Sequence, residues 1–185
     1  MAKKVPEDIK ALFDKINKTD EVRDVRTVSP TSKSGKNQMR LGYPVTFAYD
    51  PKWKKTLPYY DNLPLSIVLA KYGDRFLGIN LHYVPWARRI QLAEYLVRRT
   101  KNKNRVTYRD IKAAWKAAKL PLALASLCIR MYLHSHIKSK MKQFDWETYR
   151  EAAKNIDPRF KKKADQYIYN QTMNSFRDQK KSTKK

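Results

Sequence analysis

Apolar residues recur with a period of two in three short runs between Tyr43 and Tyr83. Val45, Phe47 and Tyr49 alternate with Thr46 and Ala48. Leu65, Ile67 and Leu69 alternate with Ser66, Val68 and Ala70. Leu77, Ile79, Leu81 and Tyr83 alternate with Gly78, Asn80 and His82. Such alternation puts successive side chains on opposite faces of a strand. Lys71-Tyr72-Gly73-Asp74 joins the second run to the third, and its glycine is read as the φ > 0 position of a hairpin turn. The expectation is a small antiparallel sheet, with an SH3-like closure as one form of it. Three strands alone are marginally stable, so helices must pack on them.

After Val84 the spacing becomes helical. Trp86, Ile90, Ala93 and Val97, widened by Leu92 and Leu96, predict a helix over 85–100. Thr107 with Asp110 three residues on has the form of a capping box, and Ile111, Ala114, Trp115 and Ala118 follow as an apolar stripe. Leu124, Leu127, Cys128, Met131, Ile137 and Met141 predict a third helix, opened by Pro121 and running to about Lys142. Asp145 caps a fourth, which presents Trp146, Tyr149, Ala153 and Ile156 and stops before Pro158. Near the start, Ile9, Leu12, Phe13 and Ile16 share one helical face behind Pro6, Glu7 and Asp8. Residues 20–40 are polar around Ser29-Pro30-Thr31-Ser32 and read as a linker or basic arm. The fold class is therefore α+β: a small antiparallel sheet followed by a helical region, with flexible basic termini. The expected organisation is an N-terminal helix and basic linker over 1–40, a β domain over 41–84, helices packed on it over 85–158, and a basic tail over 159–185. In that tail Tyr167, Ile168, Met173 and Phe176 predict one weak amphipathic helix.

Charge narrows the partner. The 185 residues hold 41 Lys and Arg against 17 Asp and Glu, a net charge of +24. That excess points to a polyanion, nucleic acid before an anionic membrane surface. Eleven basic residues against Glu94 and Asp110 lie between Arg88 and Lys119. Arg88, Arg89, Arg98, Arg99, Lys101, Lys103 and Arg105, at a helix and the turn after it, are candidate phosphate contacts. The stretch from Asp50 to Pro64 is long for a hairpin loop and stiffened by three prolines. Lys52, Lys54 and Lys55 flank Trp53 there, which suits stacking on a base beside phosphate contacts. Tyr59 and Tyr60 are read as cover for the end of the sheet.

Other chemistries find less support. One cysteine excludes an internal disulfide and a cysteine zinc site, and Cys128 is expected as a buried, inert thiol. No metal and no cofactor is expected. His134 and His136 are two apart, the wrong spacing for a helical ligand pair. A magnesium-dependent nuclease needs clustered acids. The acid-x-Lys pattern occurs at Asp8-Ile9-Lys10 and at Asp110-Ile111-Lys112, both near helix starts. A helix-turn-helix reader over 107–142 would have a largely apolar recognition helix. The start MAKKVPEDIK has no apolar core of a signal peptide, and no apolar run reaches membrane-spanning length.

Several stretches resemble a family of small virion proteins of T4-like tailed phages, known as DNA end protectors. They are Phe47-Ala48-Tyr49-Asp50-Pro51-Lys52, Leu57-Pro58-Tyr59-Tyr60-Asp61-Asn62-Leu63-Pro64-Leu65, and Phe76-Leu77-Gly78-Ile79-Asn80-Leu81-His82-Tyr83-Val84-Pro85 with Arg88 and Arg89. A later match runs from Cys128 to Leu133, with His136, Ser139-Lys140, Trp146 and Phe160. The resemblance covers roughly residues 43–160. It implies a virion component, made in the host cytoplasm, that sits on the ends of packaged double-stranded DNA and shields them from exonuclease. Other virion proteins and a second copy of the chain are the further partners it suggests. A neck or tail subunit without a DNA role is the alternative. Asn80 and His82 remain open between outward polar positions and a buried hydrogen-bonded pair.

Overall fold

A computed structural model describes residues 25–33, 37–100, 106–120, 127–171 and 174. The predicted N-terminal helix, the turn 101–105, residues 121–126 and the end of the tail lie outside the described residues. The element order is β1 (Val25–Val28), β2 (Pro44–Thr46), β3 (Tyr60–Asp61), β4 (Leu65–Lys71), β5 (Arg75–Asn80), α1 (Trp86–Thr100), α2 (Tyr108–Ala117), β6 (Ile129–Leu133), β7 (Met141–Phe144), α3 (Trp146–Asn155) and β8 (Phe160–Lys161). Residues 165–171 are helical. One sheet has six strands in the order β1-β7-β2-β4-β5-β6, and β3 pairs separately with β8. Every pairing in both is antiparallel. The α+β class holds, with a sheet wider than the three expected strands.

The alternation read from the sequence sorts residues onto the two faces. Leu65, Ile67, Ile79 and Leu81 enter a core with Leu92, Ala93, Leu96, Trp115 and Tyr149 from the helices. Val45, Phe47, Val68, Phe76 and Tyr132 form a second core on the opposite face. Phe47 meets Tyr49, Phe76 and Tyr132 edge to face at 5.2 to 6.0 Å, the geometry that aromatic quadrupoles favour.

The structure corrects three expectations. Residues 20–40 are not a linker throughout. Val25–Val28 pairs with β7, and Val28 and Met39 are buried in the second core. Two apolar residues in a polar stretch thus join the core on that sheet face. Within the stretch predicted as one helix to about Lys142, the described residues from Ile129 on form β6 and β7 instead. The open edge of β5 offers five residue pairings from Arg75↔Leu133 to Ile79↔Ile129, and tertiary pairing overrides local spacing. That also removes the helix-turn-helix reading. Finally, Gly73 does not take positive φ; Gly42 does, at φ 77. A Cβ on Gly42 would stand 2.2 Å from the Val106 carbonyl oxygen, so the backbone approach to the start of α2 requires glycine.

Candidate nucleic-acid interface

Helix α1 exposes its basic residues in part. Arg88 and Arg98 line a depression of about 230 Å³ together with Gln91, Glu94, Tyr95 and Lys119. Arg88 Nη1 donates to Gln91 Oε1 at 3.0 Å and to the Ala118 carbonyl at 3.4 Å. Arg98 Nε donates to the Glu94 carbonyl at 3.4 Å. The Arg99 guanidinium lies 5.7 Å from the centroid of the Tyr95 ring. Glu94 is the acid in the lining of the depression, against the cations Arg88, Arg98 and Lys119.

Lys119 reaches this depression through an unusual backbone. The capping box starts α2: Thr107 N–H donates to Asp110 Oδ2 at 2.9 Å, and Asp110 N–H to Thr107 Oγ1 at 3.3 Å. The helix ends in a Schellman turn, with Leu120 N–H on the Trp115 carbonyl and Lys119 N–H on that of Lys116. The left-handed residue of such a turn is usually glycine; here it is Lys119 at φ 52. The strain of a side chain there is of order 1 kcal/mol.

Arg89 does not join this surface. It is fully buried. Nη2 donates to Tyr169 Oη at 3.1 Å and Nη1 to the Ile156 carbonyl at 3.4 Å. Its proposed phosphate contact is therefore a misassignment: the guanidinium ties α1 to the chain after α3 and to the C-terminal helical turn. The signal was present, because 89, 92, 93, 96 and 97 follow the inner stripe of the helix. Trp86, placed on that stripe, is exposed instead.

Ile156 also accepts from the motif residues. His82 Nδ1 lies 2.7 Å from Asp61 Oδ2, and His82 Nε2 3.1 Å from the Ile156 carbonyl. Asn80 Nδ2 donates to Asp61 Oδ2 at 3.0 Å, and Asn80 Oδ1 accepts from the His82 N–H. Both ring nitrogens of His82 face acceptor oxygens, one of Asp61 and one of Ile156. Burial pushes the Asp61 carboxyl up, but the His82 charge and hydrogen bonds from His82, Asn80 and Leu63 hold it below its ordinary value. Asn80 and His82 are thus a buried hydrogen-bonded pair, closed on Asp61.

The second candidate cluster is the loop after β2. Lys52 to Thr56 are all exposed, and Trp53 is 64% exposed. Lys52 Nζ sits 5.0 Å from the centroid of the Trp53 ring. Lys54 pairs with Asp50 at 2.9 Å. From the tail, Lys162 Nζ donates to the carbonyls of Lys55 and Leu57 at 3.0 and 2.6 Å. Lys162, like Lys119, is a non-glycine residue at positive φ, 73. The loop walls a cleft of about 470 Å³ against β5 and β6, lined also by Arg75, Arg130 and Met131. Tyr59 packs toward the helical core, its ring 6.1 Å from that of Tyr83. Arg130 was missed in the sequence because 121–142 was read as one helix, which turned the alternation of β6 into an apolar stripe; Lys119 was counted in the basic region but not singled out, because its place depends on the turn that ends α2.

The cysteine and the acids add no chemistry here. Cys128 is buried, and burial pushes its thiol up to about 12. The Asp110 carboxylate is engaged in capping α2. Among the described residues no group of three or more His, Cys, Asp or Glu is placed to hold a metal ion, and no helix is long and apolar enough to cross a membrane.

Residues 9–181 match a family model described as phage T4 terminal DNA protecting protein. Comparison with curated proteins and with solved structures gave no match.

Proposed function

The chain belongs to the phage T4 terminal DNA protecting protein family, and on that premise we propose that it binds the ends of the packaged phage genome, without sequence preference, as a component of the virion. The observation that carries the reading is the depression on α1, where Arg88, Arg98 and Lys119 converge from two elements. Three cations against one acid, Glu94, leave the concavity net positive, which suits a phosphate backbone, and Arg forks match phosphate oxygens two at a time. Arg99 adds charge on the same helix. Lys101, Lys103 and Arg105 continue the basic run in sequence, and Lys52, Lys54 and Lys55 beside Trp53 form a second basic group. Arg89 has no part in it.

Contacts of this kind give affinity that falls with salt, with a slope near −0.9 per phosphate neutralised. Replacing Arg88, Arg98 and Arg99 together by Glu is expected to flatten the slope by about two to three units and to weaken duplex binding at low salt. The measurement is fluorescence anisotropy on a linear duplex across a salt series. An unchanged slope would mean that α1 does not touch the backbone.

A further inference from the structure

Phosphate contacts alone do not tell an end from the middle of a duplex, because the backbone charge is the same in both. End selectivity needs something that only an end offers. An unpaired or frayed terminal base is such a feature: its face is open, and exposing it costs far less than unstacking an internal base.

We propose that the cleft between the Asp50–Tyr60 loop and strands β5 and β6 holds an unpaired terminal nucleotide, its base on aromatic rings and its phosphate on guanidinium groups. This rests on the end-binding reading above and names the ligand of a second site in it. The cleft, about 470 Å³, falls within the usual range for small-molecule sites; it takes one nucleotide and not a base-pair stack. At its mouth Trp53 is 64% and Met131 44% exposed. These large apolar side chains are left open on a cleft that Lys52 also lines, whereas Phe47, Phe76 and Tyr132 pack into a core. Inside, the Arg130 guanidinium lies 4.4 Å from the centroid of the Tyr83 ring, and Nη1 donates to the Ile129 carbonyl at 2.9 Å. A planar cation braced on a ring is pre-set for a phosphate or for stacking on a base. Arg75 lines the same cleft and pairs with the exposed Asp74, a pair that costs little to exchange.

The acidic lining points the same way. Asp61 also borders the cleft, but its carboxylate accepts from His82 and Asn80 within the buried network, so the charge left for a ligand is positive. Stacking is tolerant of base identity, which fits a protector that meets whichever base stands at the end.

The test uses the full chain and three probes of one sequence: linear duplex with a three-nucleotide 3′ overhang, the same with a 5′ overhang, and the duplex ligated into a closed circle. Wild type is expected to bind at least one overhang more tightly than the circle. Trp53→Ala and Arg130→Gln are each expected to lower that linear-to-circle ratio about tenfold, while Trp53→Phe keeps most of it. Trp53 is on the surface, so Trp53→Ala reads binding rather than folding. If both variants keep the full ratio, the cleft does not hold the terminus, and the phosphate-binding reading of α1 stands without it. If wild type itself shows no preference for the linear forms, the end-binding reading fails and this inference fails with it.

Discussion

Arg88 and Arg89 are neighbours in sequence and stand in opposite environments. Arg88 opens onto a basic depression; Arg89 is enclosed, with two carbonyls and a tyrosine hydroxyl as partners. Arg89→Ala is expected to lower stability by about 3 kcal/mol, because it leaves buried acceptors unpaired and a void behind. Chemical unfolding measures this, and the salt slope of DNA binding in the folded fraction should not move. Asp61 carries a comparable load. Asp61→Asn removes the buried carboxylate that His82 and Asn80 share, at a cost of about 3 kcal/mol. The sign of the pH dependence follows from the lowered carboxyl: the contribution of Asp61 is fully present above its unfolded value near ~3.9 and is lost as pH falls through its folded value. Stability should therefore be level in this respect at neutral pH and drop below about pH 4, with Asp61→Asn lacking that component of the drop. Lys119 shows the converse case, a local rule broken at the proposed DNA-binding surface. Lys119→Gly is expected to raise stability by up to about 1 kcal/mol by relieving the left-handed strain. It should weaken DNA binding at the same time; a thermal melt and an anisotropy titration on one preparation decide it.

At the scale of elements, the sequence made some features legible and hid others for physical reasons. Strands β4 and β5 were clear because each alternates between two faces that are both buried. Helix α1 was clear from its stripe, although Arg89 and Trp86 exchanged roles on it. The capping box and Asp145, which accepts from the Thr148 N–H at 2.7 Å, were legible because caps are local chemistry. Strands β1 and β6 were not, because each exists through a distant partner, Phe144 for Val25 and Arg75 for Leu133. The candidate site divides in the same way. Lys52 and Trp53 were readable in one loop, while Arg130 and Lys119 come to their sites only through the fold. The brace of the loop, Lys162, lies more than a hundred residues away in sequence. Lys162→Ala is expected to free the Lys55 and Leu57 carbonyls and to speed tryptic cleavage after Lys52, Lys54 and Lys55 severalfold; an unchanged digestion pattern would mean that the tail does not hold the loop.

At the scale of the molecule, the sheet is buried on both faces, by helices on one side and by an aromatic cluster with Met39 on the other. The Asp61–His82 pair joins the small β3–β8 ribbon to β5 and to the end of α3. The motif that carries the family resemblance is thus framework, and the basic groups stand on that framework. The account's central claim is protection of DNA ends. The most direct test is the rate at which an exonuclease degrades linear duplex with the protein bound, set beside the protein's affinity for a closed circle of the same sequence across a salt series. The account predicts strongly slowed digestion and tighter binding to the linear form, both lost when Arg88, Arg98 and Arg99 are reversed in charge. Digestion at the unprotected rate, with equal binding to line and circle, would contradict it.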